Sequence, residues 1–149
     1  MKLPEFVNLP LMVGLIAWTI AQIVKVPLTF IAKKRWNWAL LASPGGMPSS
    51  HSALVAGTAQ MIGLIEGFNS PLFAVACVIA IVVIYDATGI RRQAGRHARI
   101  INKMILDMQS GHPLKQERLR EVLGHTPLEA LAGTLLGISV AQVTWLIVS

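Results

Sequence analysis

Four long stretches of the 149-residue chain carry no charged residue, and their lengths limit what the chain can fold into. They cover residues 6–24, 49–65, 67–85 and 130–149, which are 19, 17, 19 and 20 residues. A helix that rises about 1.5 Å per residue needs about 20 residues to cross a hydrocarbon core of about 30 Å. The sequence therefore predicts an all-α integral membrane protein with about four transmembrane helices, folded as one domain over residues 1–149.

The composition favours lipid over water or nucleic acid as the partner of this chain. Hydrophobic residues make up 54% and charged residues 13%, whereas about a quarter of the residues of a soluble domain are charged. The formal charge of +6 would suit nucleic acid in a hydrophilic chain, but here it indicates lipid phosphates and membrane lipids. We expect no nucleic-acid partner. The single cysteine, Cys77, excludes an intramolecular disulfide bond.

Twelve of the thirteen Lys and Arg residues lie in the connections that follow the first and third stretches. They are Lys25, Lys33, Lys34 and Arg35 in the first connection, and Arg91, Arg92, Arg96, Arg99, Lys103, Lys115, Arg118 and Arg120 in the long one. Basic loops remain on the cytoplasmic side of a membrane. The chain is therefore predicted to lie in a bacterial inner (plasma) membrane, with these two connections in the cytoplasm.

The long connection, residues 86–129, is too polar to span and is predicted to form helices at the membrane surface. Apolar residues from Ile100 to Met108 follow a helical spacing, while Arg96, Arg99 and Lys103 occupy other faces. This pattern is typical of an amphipathic helix at the lipid headgroups. A further short helix is predicted over residues 114–123.

Three polar clusters fall at the cytoplasmic ends of the predicted helices, in residues 48–52, 85–92 and 124–129. Polar and ionisable groups are costly near lipid unless they pair with each other or carry out a function. Because one topology places all three clusters on the same side of the membrane, we expect them to form one site.

The first cluster opens a helix and could bind an anion. Backbone N–H groups at a helix N-terminus attract negative charge, and the hydroxyls of Ser49 and Ser50 could add donors for a phosphate. His51 could transfer a proton nearby. The alternative is that the segment is only a helix N-cap with an interfacial histidine.

The third cluster contains His125 and Glu129, which lie four residues apart. A carboxylate that binds one imidazole nitrogen leaves the other nitrogen available as nucleophile or base. The same segment also fits a helix N-terminus, with Thr126 as the cap, Pro127 at the first position and Glu129 at the third. Both interpretations are compatible.

The second cluster supplies Arg91 and Arg92, whose guanidinium groups could bind phosphate in a bidentate manner. Asp86 could orient one of them. The alternative is a basic cluster that contacts only anionic headgroups. Two histidines, an acidic partner and several arginines on one membrane face are together the residues needed for phosphoryl transfer through a phosphohistidine.

Three runs in this order resemble the divergent PAP2 family, which is related to type 2 phosphatidic acid phosphatases and vanadium-dependent haloperoxidases. They are Gly-Gly-Met-Pro-Ser-Ser-His-Ser from Gly45, Tyr-Asp-Ala-Thr-Gly-Ile-Arg-Arg from Tyr85, and Leu-Gly-His-Thr-Pro-Leu-Glu from Leu123. The resemblance implies that His125 is the nucleophile, that Glu129 orients it, and that His51 protonates the leaving oxygen.

The match to the wider superfamily pattern is partial. Ser50 stands where that pattern has Gly, Glu129 stands for Asp, and Arg120 precedes His125 by five residues instead of six. The first motif, Lys-x6-Arg-Pro, is absent, since Ala32 is seven residues after Lys25. The phosphate contacts are therefore assigned to Arg91, Arg92, Arg120, Lys33 and Lys34.

The resulting prediction is a membrane phosphatase that hydrolyses a lipid phosphate, without a metal or other cofactor. Phosphatidylglycerophosphate, phosphatidate and polyprenyl pyrophosphate are all compatible substrates. One alternative is a metal-dependent phosphohydrolase with ligands His51, Asp86, His125 and Glu129. Another is a non-enzymatic transporter subunit or lipid-binding scaffold.

A homo-oligomer is also predicted, because Gly133, Gly137 and Ala141 form a small-residue stripe that permits close helix contact. The stripe could equally pack inside one chain.

Overall fold

A computed structural model describes residues 8–42, 45–108 and 124–149. Six of these residues are described by backbone alone: Ala32, Lys33, Ala42, Arg91, Arg92 and Asp107. The five α-helices of these ranges are α1 (Leu9–Lys33), α2 (Ser50–Glu66), α3 (Pro71–Thr88), α4 (Ile90–Met108) and α5 (Pro127–Val148). A short 3₁₀ helix, Trp38–Ala42, lies between α1 and α2. No strand occurs in the described ranges, which confirms the predicted all-α fold.

Short polar side chains begin four of these helices, as their sequences require. Asn8, Ser49, Ser70 and Thr126 are the N-caps of α1, α2, α3 and α5, and each side chain accepts a hydrogen bond from the first turn of its helix. These bonds satisfy backbone N–H groups that have no partner within the helix.

Helix α2 is the centre of the bundle and packs against α1, α3 and α5. Its contact with α5 is close because glycines leave room for the backbones. A Cβ atom on Gly133 would lie 2.1 Å from the Ser49 carbonyl oxygen, and one on Gly137 would lie 2.3 Å from the Ala53 carbonyl oxygen. The small-residue stripe of α5 therefore packs inside the chain. A homo-oligomer stays a prediction that this stripe does not support.

Three stretches are long and apolar enough to cross a membrane: Leu9–Ile31, Pro71–Leu106 and Pro127–Val148. Helix α2 is apolar too, but it has 17 residues. Large side chains on α3, including Val75, Val78 and Ile81, are more than half exposed. Such an apolar exterior matches the predicted membrane bundle, because lipid rather than water can surround it.

The predicted boundary of the first span was wrong. The span was expected to end at Val24, before a loop that contains Lys25, but α1 continues to Lys33 and Lys25 is fully buried in it. Counting uncharged residues failed here because a lysine can lie inside a span when its ammonium group has partners. Helix α3 also continues past Tyr85 to Thr88.

Helix α4 confirms the helix predicted in the long connection. Arg96, Arg99 and Lys103 are exposed on it, as are Ile100 and Met104. The helix predicted over residues 114–123 lies outside the described residues.

Candidate active site

The start of α5 forms a complete capping box. The Thr126 backbone N–H donates to Glu129 Oε2 at 2.9 Å, and the Glu129 backbone N–H donates to Thr126 Oγ1 at 3.3 Å. Pro127 occupies the first turn, where a missing N–H group is not needed. The capping interpretation of this segment is therefore confirmed, and it fixes the position of the Glu129 carboxylate.

His125 lies beside that carboxylate and is 3% exposed. Its Nδ1 is 3.2 Å from Glu129 Oε2, and its backbone N–H donates to the Ala87 carbonyl at 2.8 Å. An ionised carboxylate can only accept hydrogen bonds, so Nδ1 must carry the proton when Glu129 is charged. The lone pair of the ring then lies on Nε2. This is the tautomer that a nucleophilic histidine needs.

The start of α2 is joined directly to the start of α5. The Ser49 backbone N–H donates to the Glu129 carbonyl oxygen at 2.9 Å, across the contact that Gly133 makes possible. The Ser49 hydroxyl accepts from the Ser52 backbone at 3.3 Å and from the Ser52 hydroxyl at 3.0 Å. Ser49 is therefore the N-cap of α2, and its role in phosphate binding stays a prediction.

A buried lysine is the third member of this assembly. The Lys25 ammonium donates to Ser50 Oγ at 3.3 Å and to Gln22 Oε1. Gln22 in turn donates to the Leu41 carbonyl at 2.9 Å, which ties the 3₁₀ helix to α1. Lys25 also interacts electrostatically with Glu129. The site thus combines a histidine–carboxylate pair with a positive charge at a helix N-terminus.

Lys25 is the residue that sequence reasoning missed. It was predicted to lie in the first connection because it is the first charged residue after the uncharged stretch that ends at Val24. One sequence feature could have identified it. Lys25 is the only charged residue between Glu5 and Lys33, a stretch long enough for a membrane-spanning helix. An ionisable residue in such a stretch marks a functional site unless it is paired for structure alone.

His51 and Asp86 are half-buried, in the first turn of α2 and in the last turn of α3. The ends of these two helices meet the same assembly, since Ser49 and Ser50 begin α2 and the Ala87 carbonyl binds His125. Their predicted roles, proton donor and orienting carboxylate, remain predictions.

Of the other predicted phosphate contacts, only Lys34 has a side chain that the structure describes. Lys34 is exposed at the end of α1, nine residues and so about 13 Å along the helix from Lys25. The side chains of Lys33, Arg91 and Arg92, and all of Arg120, lie outside the described part of the chain. Their roles stay predictions.

No group of three His, Cys, Asp or Glu side chains that could hold a metal occurs among the described residues. The proposed metal ligands His51, Asp86, His125 and Glu129 all belong to that described set. Their geometry therefore gives the metal-dependent alternative no support.

The fold and the site together define an apolar helical bundle with a buried histidine, a buried lysine and a partly buried carboxylate at one end. The chain belongs to the Divergent PAP2 family, whose sequence profile matches residues 6–140. This confirms the resemblance drawn from the three sequence runs.

One relative shares the length of the chain as well as its sequence. The uncharacterized membrane protein YuiD of Bacillus subtilis (strain 168) is 42% identical over 142 residues, which cover 88% of this chain and 90% of the relative. No solved structure matches the chain. The relative and the three apolar stretches identify the chain as an integral membrane protein.

Proposed function

We propose that this protein is a membrane lipid phosphatase that hydrolyses a lipid phosphate monoester or pyrophosphate through a phosphohistidine on His125. One observation carries the proposal: the His125–Glu129 pair and the Lys25–Ser50 pair are joined by the bond between the Ser49 N–H and the Glu129 carbonyl. A nucleophile and a positive charge for a phosphate thereby share one small volume.

Three features of the site favour a bound phosphate. Protonated Lys25 supplies a positive charge, and the first turn of α2 supplies the positive end of a helix dipole. Ser50, which replaces the glycine of the superfamily pattern, holds Lys25 at that turn. Burial makes each of these interactions stronger than it would be in water.

The proposed reaction has two steps. The Nε2 lone pair of His125 attacks phosphorus, the bond from phosphorus to the lipid oxygen breaks, and His51 protonates the departing oxygen. His51 then takes a proton from water, whose oxygen attacks phosphorus; the bond from phosphorus to Nε2 breaks, which releases inorganic phosphate and restores His125. The Glu129 carboxylate stabilises the positive charge that His125 gains in the first step.

We place the site at the cytoplasmic face, following the distribution of basic residues. A single cysteine in place of the exposed Lys34, in a Cys77→Ser background, provides a test. A membrane-impermeant maleimide should label this cysteine in inside-out vesicles and not in intact cells. Labelling in intact cells would place the site on the opposite face.

The activity is tested by phosphate release from three substrates by the detergent-purified protein: phosphatidylglycerophosphate, phosphatidate and a polyprenyl pyrophosphate. We expect release from at least one substrate, inhibition by orthovanadate and full activity after exhaustive chelation. Loss on chelation would favour the metal-dependent alternative. Hydrolysis of none of the three would favour a non-enzymatic scaffold or transporter subunit.

A further inference from the structure

An apolar groove runs along one side of the bundle, between α1 and α3. Both helices pack against α2, but in the described part of the chain no Cα atom of α1 lies within 8 Å of a Cα atom of α3. The space between them has a volume of about 290 Å³, and its lining is apolar except for Thr58. Its floor is formed by α2 and its wall on α3 includes Val75 and Ala76.

The floor of this groove lies on the face of α2 that carries His51. Leu54, Val55, Thr58 and Ile62 line the floor. They follow His51 by three, four, seven and eleven residues, which is the spacing of one helix face. The face of α2 that carries His51 at the site end thus continues as the floor of the groove.

This continuity matters because of the role proposed for His51. In the hydrolysis of a lipid phosphate, the leaving oxygen carries the apolar tail of the substrate. The residue that protonates this oxygen must therefore lie where the tail leaves the phosphate. A groove that begins one helical turn from His51 is in the position that a tail would require.

The depth of the site supports the same conclusion. Lys25 lies six residues before Ile31, the end of its apolar stretch, and so about 9 Å inside the span. Ser50 contacts Lys25, and Leu54 is one turn further along α2. The groove therefore begins about 15 Å from that end, near the middle of a hydrocarbon core of about 30 Å.

We propose that the groove between α1 and α3 binds the apolar tail of the lipid phosphate substrate and sets the preference of the enzyme for long chains. The inference rests on the proposed function, since it takes His51 as the proton donor to the leaving group. A phosphate held at Lys25 places its tail in the far half of the membrane, where the groove lies.

Alkylphosphonates test the groove separately from catalysis, because their carbon–phosphorus bond is not hydrolysed. The affinities of butylphosphonate and hexadecylphosphonate are measured by thermal stabilisation of the detergent-purified protein. Ala76→Phe fills the groove, and Ala74→Phe places the same ring on an exposed position of the same helix. Both variants are measured in the same detergent, so the partition of the long chain into detergent is equal for the two. It therefore cancels when their affinities are compared.

We expect Ala76→Phe to reduce the preference for hexadecylphosphonate by about tenfold relative to Ala74→Phe, with butylphosphonate affinity unchanged. If Ala76→Phe does not fold, Val75→Trp fills the same groove from a position that is 55% exposed. If every filled variant that folds keeps the chain-length preference of Ala74→Phe, the groove assignment is wrong.

The same experiment separates the two proposals. A wild-type protein that binds hexadecylphosphonate through the groove but hydrolyses no lipid phosphate would support the groove and contradict the phosphatase function. A protein that hydrolyses lipid phosphates with equal efficiency in Ala76→Phe and Ala74→Phe would support the function and contradict the groove. Binding of neither phosphonate by the wild type would contradict both.

Discussion

The two sides of helix α2 differ in what they pack against. On the side of α5, glycines bring the backbones so close that a Cβ atom on Gly133 would overlap the Ser49 carbonyl. On the side between α1 and α3, branched side chains such as Val55 and Ile62 line an open groove. We call these the closed side and the open side of α2.

The difference shows how one helix can serve two purposes. On the closed side, close backbone contact fixes the starts of α2 and α5 against each other, and this contact holds His125, Glu129 and Lys25 in position. On the open side, the proposed lipid tail requires apolar surface and not fixed geometry, so close backbone contact is not required there.

Removal of the Lys25 charge should have the largest effect on turnover. Lys25→Met leaves an apolar chain of similar length in a buried site and removes the positive charge proposed to bind the phosphate. We expect phosphate release to fall by about a hundredfold to a thousandfold. Lys103→Met, at an exposed position of α4, is the control. Equal activities of the two variants would place the phosphate away from Lys25.

The closed side should be the more sensitive of the two to added volume. Gly133→Val forces side-chain atoms against the Ser49 backbone and should reduce the free energy of unfolding by about 3 kcal/mol. Ser139→Val, on an exposed face of α5, should change it little. Thermal unfolding of both variants, followed by helical circular dichroism in detergent, provides the measurement. A similar stability of the two would show that the close contact is not required.

Arg91 and Arg92 begin α4, next to the end of α3 that contacts His125. A lysine cannot replace an arginine whose guanidinium binds phosphate with two hydrogen bonds. It can replace an arginine whose charge only sets the membrane topology. We expect at least one of Arg91→Lys and Arg92→Lys to insert normally but to lose about ten- to a hundredfold in turnover. Near wild-type turnover in both variants would show that these arginines only set the orientation of the protein in the membrane.

The two roles of the α5 start can be separated by two substitutions. Glu129→Gln keeps an acceptor for the Thr126 N–H but loses the charge beside His125, so turnover should fall about tenfold with little loss of stability. Thr126→Ala removes the cap and should cost about 1 kcal/mol of stability with little loss of turnover. Parallel losses in both measurements would show that capping alone explains this segment.

Local patterns predicted much of this molecule and missed its long-range contacts. The starts of α2 and α5 and their caps follow from apolar runs preceded by Ser or Thr, and the pairing of His125 with Glu129 follows from a spacing of four. Lys25 was not predictable in the same way. Its partner Ser50 is 25 residues away, and only the packing of α1 against α2 brings the two together.

The groove could not be predicted from the sequence either, because it depends on how α1 and α3 both pack against α2. The small-residue stripe on α5 left two partners open, another chain or this one. The structure resolved this in favour of α2, since the backbone of Ala53 lies against Gly137.

The proposed mechanism depends on a phosphate carried by His125 during turnover, and this intermediate can be trapped. Protein incubated with a lipid substrate labelled in its phosphate is quenched in alkaline detergent, where phosphohistidine is stable, and the labelled peptide is identified by mass spectrometry. We expect label on His125 in the wild type and in the control His97→Ala, an exposed histidine on α4, and no label in His125→Ala. Turnover by His125→Ala at the wild-type rate, or label on another residue, would contradict it.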